Sequence, residues 1–582
     1  MATSDRPACD IVMKGGITSG VVYPLALVEL SEKYRFANIG GTSAGAIAAA
    51  AAAAAEFGRA VPGAGFERLK KVPDEVGPHL LSLFQPAPAL KPLFDIFIAA
   101  QGAKTRPAQV LAVVAAAIRG YWPSALLGLL PGAVIVGVAL YFHRFGGTLA
   151  FGILLALVGL VVALLWRLLK AAGTDLVNND FGVCPGIRQS PTAPEAFTDW
   201  LARLIQEAAG RKITDDPLTF GDLERPPGDA PAINLAMITT SLMEERPYTL
   251  PMQPTDHRRF FFRPDEWAHL FPKRVLEFLV SNSEEFNGGK KGEFYYFPDR
   301  AQLPVIVAAR MSLSFPGLIS AVPLWSRDFT LKPEYRDTPQ RCLFSDGGLT
   351  SNFPIHFFDH PFPNSPTFAI SLDDYDARRS RDDVWLPSSA FAGWLVPILP
   401  FQGLGGFLAR LLYSAKDWQD NLQSTLPGYR ERIVHVVLKP DEGGLNLTMT
   451  DATVQKLVDY GKKAGQLLRD SFVLEEHRWR RFLVSMARME QSLDEVAAAY
   501  EQDPGKFGEF LDKFVRERMP YRSPKQPGER PPNSQDTEAR VDEMLKRARQ
   551  LVELGVAWRN APTIRNDDIP KPGTNLRITP KY

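Results

Sequence analysis

Residues 36–57 read FANIGGTSAGAIAAAAAAAAEF, and this stretch decides the fold. Residues 36–39 are a short apolar strand candidate. Residues 44–57 are almost pure alanine, which favours helix strongly. Between them stands Gly41-Thr42-Ser43-Ala44-Gly45, of the form G-x-S-x-G. A strand, a sharp glycine turn and a helix, in that order, lift a serine hydroxyl out of a sheet and set it at a helix N-terminus. Glycines on either side permit the backbone such a turn demands, and the small Thr42 and Ala44 leave the hydroxyl approachable. The plainer alternative is a glycine-rich turn with an N-capping serine.

Upstream, residues 10–13 form another strand candidate, and residues 20–34 have helical apolar spacing. This β-turn-α alternation over residues 8–60 predicts an α/β sandwich, with the alanine helix packed closely on a sheet. Between the first strand and helix lies Lys14-Gly15-Gly16-Ile17-Thr18-Ser19-Gly20. Glycine amides there can turn N–H groups toward a developing negative charge. Phosphate binding is the rival reading, although neither G-x-G-x-x-G nor P-loop spacing is present. Much later, Ser345-Asp346-Gly347-Gly348-Leu349 follows strand-like residues 341–344. A carboxylate on a tight turn at a strand end can act as a base across a sheet. The alternative is an ordinary surface Asp-Gly turn.

These three blocks, in this order, resemble the patatin-like phospholipase family over about residues 9–373. The resemblance implies a three-layer α/β/α sandwich with Ser43 as nucleophile, Asp346 as base and no catalytic histidine. It assigns oxyanion binding to Gly15 and Gly16, the loop's closing glycine to Gly20, and motif support to Gly41, Gly45, Gly347 and Gly348. Residues 308–317 (AARMSLSFPG) match the family's helical segment ahead of the aspartate. Ile17 and Ser19 stand where the family usually has a third glycine and a basic residue. A free aspartate near pKa ~3.9 is a weak base at neutral pH, so the dyad needs partial burial to raise it. The implied chemistry is two-step acyl transfer from a lipid ester through an acyl-enzyme, with no metal or cofactor. Membrane phospholipid is then both substrate and anchor. Two other functions stay open: a scaffold that keeps the fold but not the activity, and an esterase acting on soluble esters.

The composition sets bounds on these readings. The 582 residues amount to three or four domain lengths. Lys+Arg (66) and Asp+Glu (65) nearly cancel, so no overall charge draws the chain to nucleic acid. With 45% hydrophobic and 23% charged residues, global disorder is excluded, while 48 prolines imply many interrupted elements. Cys9, Cys184 and Cys342 show no paired spacing, which disfavours a disulfide scaffold or a cysteine-built zinc site and fits a reducing compartment. His356 and His360 stand i, i+4, but no H-E-x-x-H accompanies them, so no metal site is expected. His435 reads as a strand residue and His477 as a surface helix residue.

Residues 124–142 and 148–166 are two charge-free runs of nineteen residues, joined by His143, Arg144, Phe145, Gly146 and Gly147. Each matches the ~20 apolar residues that cross hydrocarbon as a helix, and together they predict a transmembrane hairpin. Tyr121, Trp122, Tyr141, Phe142 and Trp166 sit at the ends, as interfacial aromatics do. The alternative is a helical hairpin buried in a large soluble core. The flanks hold Lys104, Arg106, Arg119, Arg167 and Lys170 against Arg144 in the loop, which places the flanks and the catalytic domain on the cytoplasmic side. The N-terminus fits that side: residues 1–7 carry both charge signs, and residues 11–13 are too short for a signal core.

The expected domains are 8–60 and 181–375 for the two parts of the catalytic domain, with a helical insertion at 61–180. Residues 376–420 form an apolar flap, 421–520 a last strand and helical region, and 521–582 a linker, helix and tail. Strand signals lie at residues 233–239, 293–297, 305–307, 368–372 and 433–438, whereas 174–230 read as polar and loop-rich. Residues 385–409 carry no charge, and their prolines and glycines rule out a straight span. They are read either as buried core or as a flap in the lipid interface anchored by Trp385, Trp394 and Phe401. Oligomeric state is not legible.

Overall fold

The computed structural model describes residues 6–16, 19–102, 105–253, 259–379, 382–389, 392–393, 395–444, 446–515, 535–563 and 569–572. Six strands organise it: β1 (Ala8–Met13), β2 (Arg35–Thr42), β3 (Asn234–Ser241), β4 (Gln340–Asp346), β5 (Thr367–Asp374) and β6 (Ile433–Leu438). They lie side by side in the order β6-β5-β1-β2-β3-β4. The first five are parallel, and β4 runs antiparallel to β3. Val384–Trp385 extends the sheet beyond β6, and Val322–Ser326, Phe260–Phe262 and Tyr295–Tyr296 extend it beyond β4. The protein is thus mixed α/β around a mixed sheet.

Parallel strands are covered on both faces, so their residues are apolar on both sides of the pleat. In β1, Ile11 and Met13 enter the main core, and Val12 enters a second core on the opposite face with Phe353, Ile355, Ala369, Tyr429 and Ile433. The helices include α1 (Tyr23–Lys33), α2 (Ala44–Phe57), α3 (Trp122–Tyr141), α4 (Gly147–Lys170), α5 (Phe197–Ala208), α6 (Val305–Ser312), α7 (Gly403–Ser424), α8 (Asp451–Ser471) and α9 (Leu474–Gln502). α2 packs on β2, α5 against α2, and α8 against α1 and β6. Ala48 to Ala55 are all buried. Side chains of one carbon let α2 lie close to the sheet at little entropic cost.

α3 and α4 are long and apolar enough to cross a membrane. Their side chains point outward: Leu127 is 71% and Val134 58% exposed. Within this chain the hairpin is thus not buried in a core. The two helices touch through glycine, where a Cβ on Gly128 or Gly159 would collide with the other's carbonyl. Small residues at the seam are how helices approach closely in lipid.

Several expectations are corrected. Residues 305–307 begin α6 rather than a strand. Pro304 stands at its N-cap, and burial of all eight residues overrides the β preference of Val-Ile-Val. Of residues 293–297 only Tyr295–Tyr296 pairs as strand. The supposedly loop-rich 174–230 contains α5, whose Phe197, Trp200, Leu201, Leu204 and Ile205 form a buried face. Residues 385–409 divide: Leu386 packs against the main core and Pro387 is buried, whereas from residue 395 onward the stretch is not core. Leu395, Ile398 and Phe401 are exposed, and α7 starts at Gly403. Trp385 is no lipid anchor, because it stacks on His435 at the sheet edge with ring centroids 4.3 Å apart. Trp394 lies outside the described residues, as do Lys104, Ile17, Thr18 and the expected linker at 521–533. His477 is buried, with Nδ1 3.4 Å from Glu431. Strands Arg246–Leu250, Phe260–Phe262 and Val322–Ser326 were not anticipated.

Candidate active site

Strand register brings the three sequence blocks to one row. Met13 of β1 pairs with Gly41 of β2, Thr42 pairs with Ile238 of β3, and Thr239 pairs with Asp346 of β4. Lys14–Gly16, Ser43 and Asp346 therefore meet at the carboxyl ends of the parallel strands, where open α/β sheets build their sites.

Ser43 links β2 to α2 with φ 57° and ψ −128°. A non-glycine residue at positive φ is strained, and such strain is held by its surroundings. Here the Ser43 amide donates to Ser312 Oγ at 3.2 Å, and its carbonyl accepts from the Ala46 amide at 2.9 Å. A Cβ on Gly41 would strike the Gly45 carbonyl, and one on Gly45 the Met13 carbonyl, so both motif glycines are required by close approach. The Ser43 hydroxyl makes no capping bond to α2, which removes the N-cap alternative.

Asp346 ends β4 and is 3% exposed. Its Oδ1 accepts from the Gly348 amide at 2.7 Å, and its own amide donates to the Ser314 carbonyl at 3.0 Å. Gly347 presses on Ile238, whose carbonyl leaves no room for a Cβ. Burial pushes the Asp346 carboxyl up to about 6, against the opposing pull of the Ser43 hydroxyl, the Gly348 amide and the Lys416 charge. Oδ2 is buried and makes no strict hydrogen bond among the described residues. The Ser43 hydroxyl is among the groups that favour the ionised carboxylate.

The glycine loop departs from expectation at one position. The Gly15 amide donates to the Asn352 carbonyl at 2.8 Å, so it is not a free oxyanion donor. Gly15 instead acts by closeness: an added Cβ would lie 3.1 Å from Ser43 Cβ and collide with Asn352. Among the described residues the amides of Gly16 and of Ala44, the first residue of α2, have no acceptor. Gly20 faces Ala44, its added Cβ meeting that of Ala44 at 3.3 Å. Lys14 turns away toward β5, with Nζ 3.2 Å from Asp373 Oδ1, and Asp373 Oδ2 lies 2.6 Å from His435 Nδ1. That histidine serves Asp373 and not Asp346. Among the described residues no cluster of three or more His, Cys, Asp or Glu could hold a metal ion.

Two residues of α7 that sequence reading overlooked reach this site. Asp420 Oδ2 accepts from the amides of Asn352 (2.7 Å) and Phe353 (2.8 Å). Lys416 contributes a positive charge that favours ionised Asp346. The available signal was the clustering of Arg410, Lys416, Asp417 and Asp420 on one side of a helix over 403–424.

Two cavities flank the row. A narrow apolar one, about 80 Å³, runs from Gly20 and Ala44 along Ala48 and Ala51 of α2 toward Trp200 and Leu204 of α5. A polar one of about 740 Å³ lies on the other side of Gly15 and Gly16, against Asp374, Arg378, Arg410 and Lys439.

No family model matches the sequence. The structure aligns with VipD from Legionella pneumophila at a TM-score of 0.30 and 12% identity, covering 95% of this chain and 85% of that one. It aligns with the complex of full-length SpcU and full-length ExoU from Pseudomonas aeruginosa at a TM-score of 0.25 and 17% identity, covering 96% of this chain and 69% of that one. The RpoH suppressor of Rhizobium meliloti (strain 1021) is 33% identical over 650 residues, spanning 100% of both proteins, and the chain belongs to that protein's family.

Proposed function

We propose that the chain is a membrane-anchored serine acyl hydrolase of the patatin-like phospholipase type, cleaving phospholipid acyl esters. The observation that carries this reading is the strained Ser43 set beside a buried carboxylate whose Oδ2 has no strict partner among the described residues. In the first step Ser43 Oγ attacks the ester carbonyl and passes its proton to Asp346. At about pKa 6 that carboxylate is ionised at neutral pH yet more basic than a free aspartate. The tetrahedral oxyanion is met by the amides of Gly16 and Ala44, aided by the N-terminal dipole of α2. Asp346 then protonates the departing lysolipid. A water deprotonated by Asp346 releases the fatty acid and restores Ser43.

The cavities support the same orientation. The apolar one begins at Ala44 and has room for the first carbons of an acyl chain, and the polar one suits a head group. α3 and α4 supply the anchor, with the catalytic domain on the cytoplasmic side. The patatin-like α/β/α sandwich and the domain limits given above belong to this proposal, and no metal or cofactor enters the mechanism. Release of fatty acid from phosphatidylcholine–phosphatidylglycerol vesicles tests it: the wild type is expected to be active and Ser43→Ala inactive. Equal activity in the two proteins would sink the reading.

A further inference from the structure

α7 is amphipathic in the wrong sense for a helix lying in water. Leu404, Leu408, Leu411, Ala415, Trp418 and Leu422 recur at spacings of four and three, forming one stripe. All six are exposed. From Leu404 to Leu422 that stripe is about 27 Å long. The charged residues face the protein instead. Asp420 holds the Asn352–Phe353 backbone, and Arg410 lies 3.9 Å from Asp374 and lines the polar cavity.

We propose that α7 docks its apolar stripe on a lipid surface and, through Asp420 and Asn352, couples that docking to the glycine loop beside Ser43. The proposal rests on the reading of Ser43 and Asp346 as the catalytic pair. The coupling runs through two hydrogen bonds, from the Asn352 amide to Asp420 Oδ2 (2.7 Å) and from the Gly15 amide to the Asn352 carbonyl (2.8 Å).

Three observations favour lipid over a second protein copy. The positions flanking the stripe, which carry complementary charges in a coiled coil, are Gly405, Leu412, Gln419, Phe407, Ser414 and Asn421. The exposed Leu395, Ile398 and Phe401 continue the apolar surface ahead of the helix. The same chain carries two helices able to cross a bilayer, which keeps a lipid surface at high effective concentration. Large aromatic and aliphatic residues on one side of such a helix are what the interface takes up.

The test uses the full chain reconstituted in phosphatidylcholine–phosphatidylglycerol vesicles, with a nitroxide on Leu404→Cys, Leu411→Cys or Leu422→Cys. The native cysteines are buried and leave the label site-specific. Expected are collisions with oxygen several-fold more frequent than with a water-soluble nickel chelate at all three positions. Water-like accessibility, or dipolar broadening between copies, would overturn the docking. In a second arm, Leu411→Glu is expected to slow vesicle hydrolysis at least tenfold while leaving hydrolysis of dissolved p-nitrophenyl butyrate within twofold. Equal loss on both substrates, or no loss on vesicles, would overturn the coupling. A wild type inactive on both substrates would instead refute the catalytic reading, and the labels would still decide the docking.

Discussion

Asp346→Asn is expected to make the protein more stable at neutral pH while removing its activity. The carboxyl sits at about 6 in the folded chain against an ordinary value of 3.8. A rise of about two units, at about 1.4 kcal/mol each, costs the ionised fold about 3 kcal/mol. Because the folded pKa is raised, the penalty is complete above about pH 6 and fades as pH falls, vanishing below about pH 4 where both states bind the proton. Asparagine keeps an oxygen for the Gly348 amide and carries no charge. An unfolding entropy of about 2.1 cal/mol/K per residue gives roughly 1.2 kcal/mol/K for the whole chain, so Tm should rise by about 2–3 °C. The assay is thermal unfolding of the detergent-solubilised full chain, wild type beside variant, from pH 8 to pH 4. The gain should be present at pH 7–8 and shrink between pH 6 and pH 4. A variant less stable than wild type at pH 7, or a difference that ignores pH, would refute the assignment of Asp346 as a buried, under-bonded carboxylate.

The remaining expectations concern rate. kcat/KM should fall on the acid side with an apparent pKa near 6, since the free enzyme must hold Asp346 ionised, and Lys416→Met should move that limb upward by removing a charge that favours ionisation; a limb unmoved by Lys416→Met in pH–rate profiles would contradict the arrangement. Ala48→Phe should narrow the apolar cavity and shift preference toward shorter acyl chains, read as kcat/KM over a series of p-nitrophenyl esters. Gly16→Val places a Cβ 2.6 Å from Ser19 Oγ and should lower kcat by roughly a hundredfold with little change in KM, since an oxyanion donor acts on the transition state. Steady-state kinetics on a soluble ester decides that case.

What was legible in the chain was local. The turn at Gly41–Gly45 shows because strand, turn and helix are contiguous, and each half has a strong bias of its own. Asp346 shows because its two glycines mark a strand end. What stayed hidden depends on partners far away in sequence. The Gly15 amide is taken by Asn352, and Asn352 is held by Asp420, neither of which any spacing rule connects to a glycine loop. His477 reads as exposed because its neighbours are charged, yet Glu431 waits beneath it. Val305, Ile306 and Val307 look like a strand because β-branching is a weak preference that burial on a helix overrules. α7 escaped notice because the preceding prolines and glycines disguised its start, and because its apolar side faces outward.

The most direct test of the central claim is reaction of the full chain with a fluorophosphonate ester, followed by peptide mapping. A stoichiometric adduct on Ser43 is expected in wild type, much slower labelling in Asp346→Asn, and none in Ser43→Ala. Labelling at another serine, or an adduct that persists in Ser43→Ala, would contradict Ser43 as the nucleophile and the mechanism built on it.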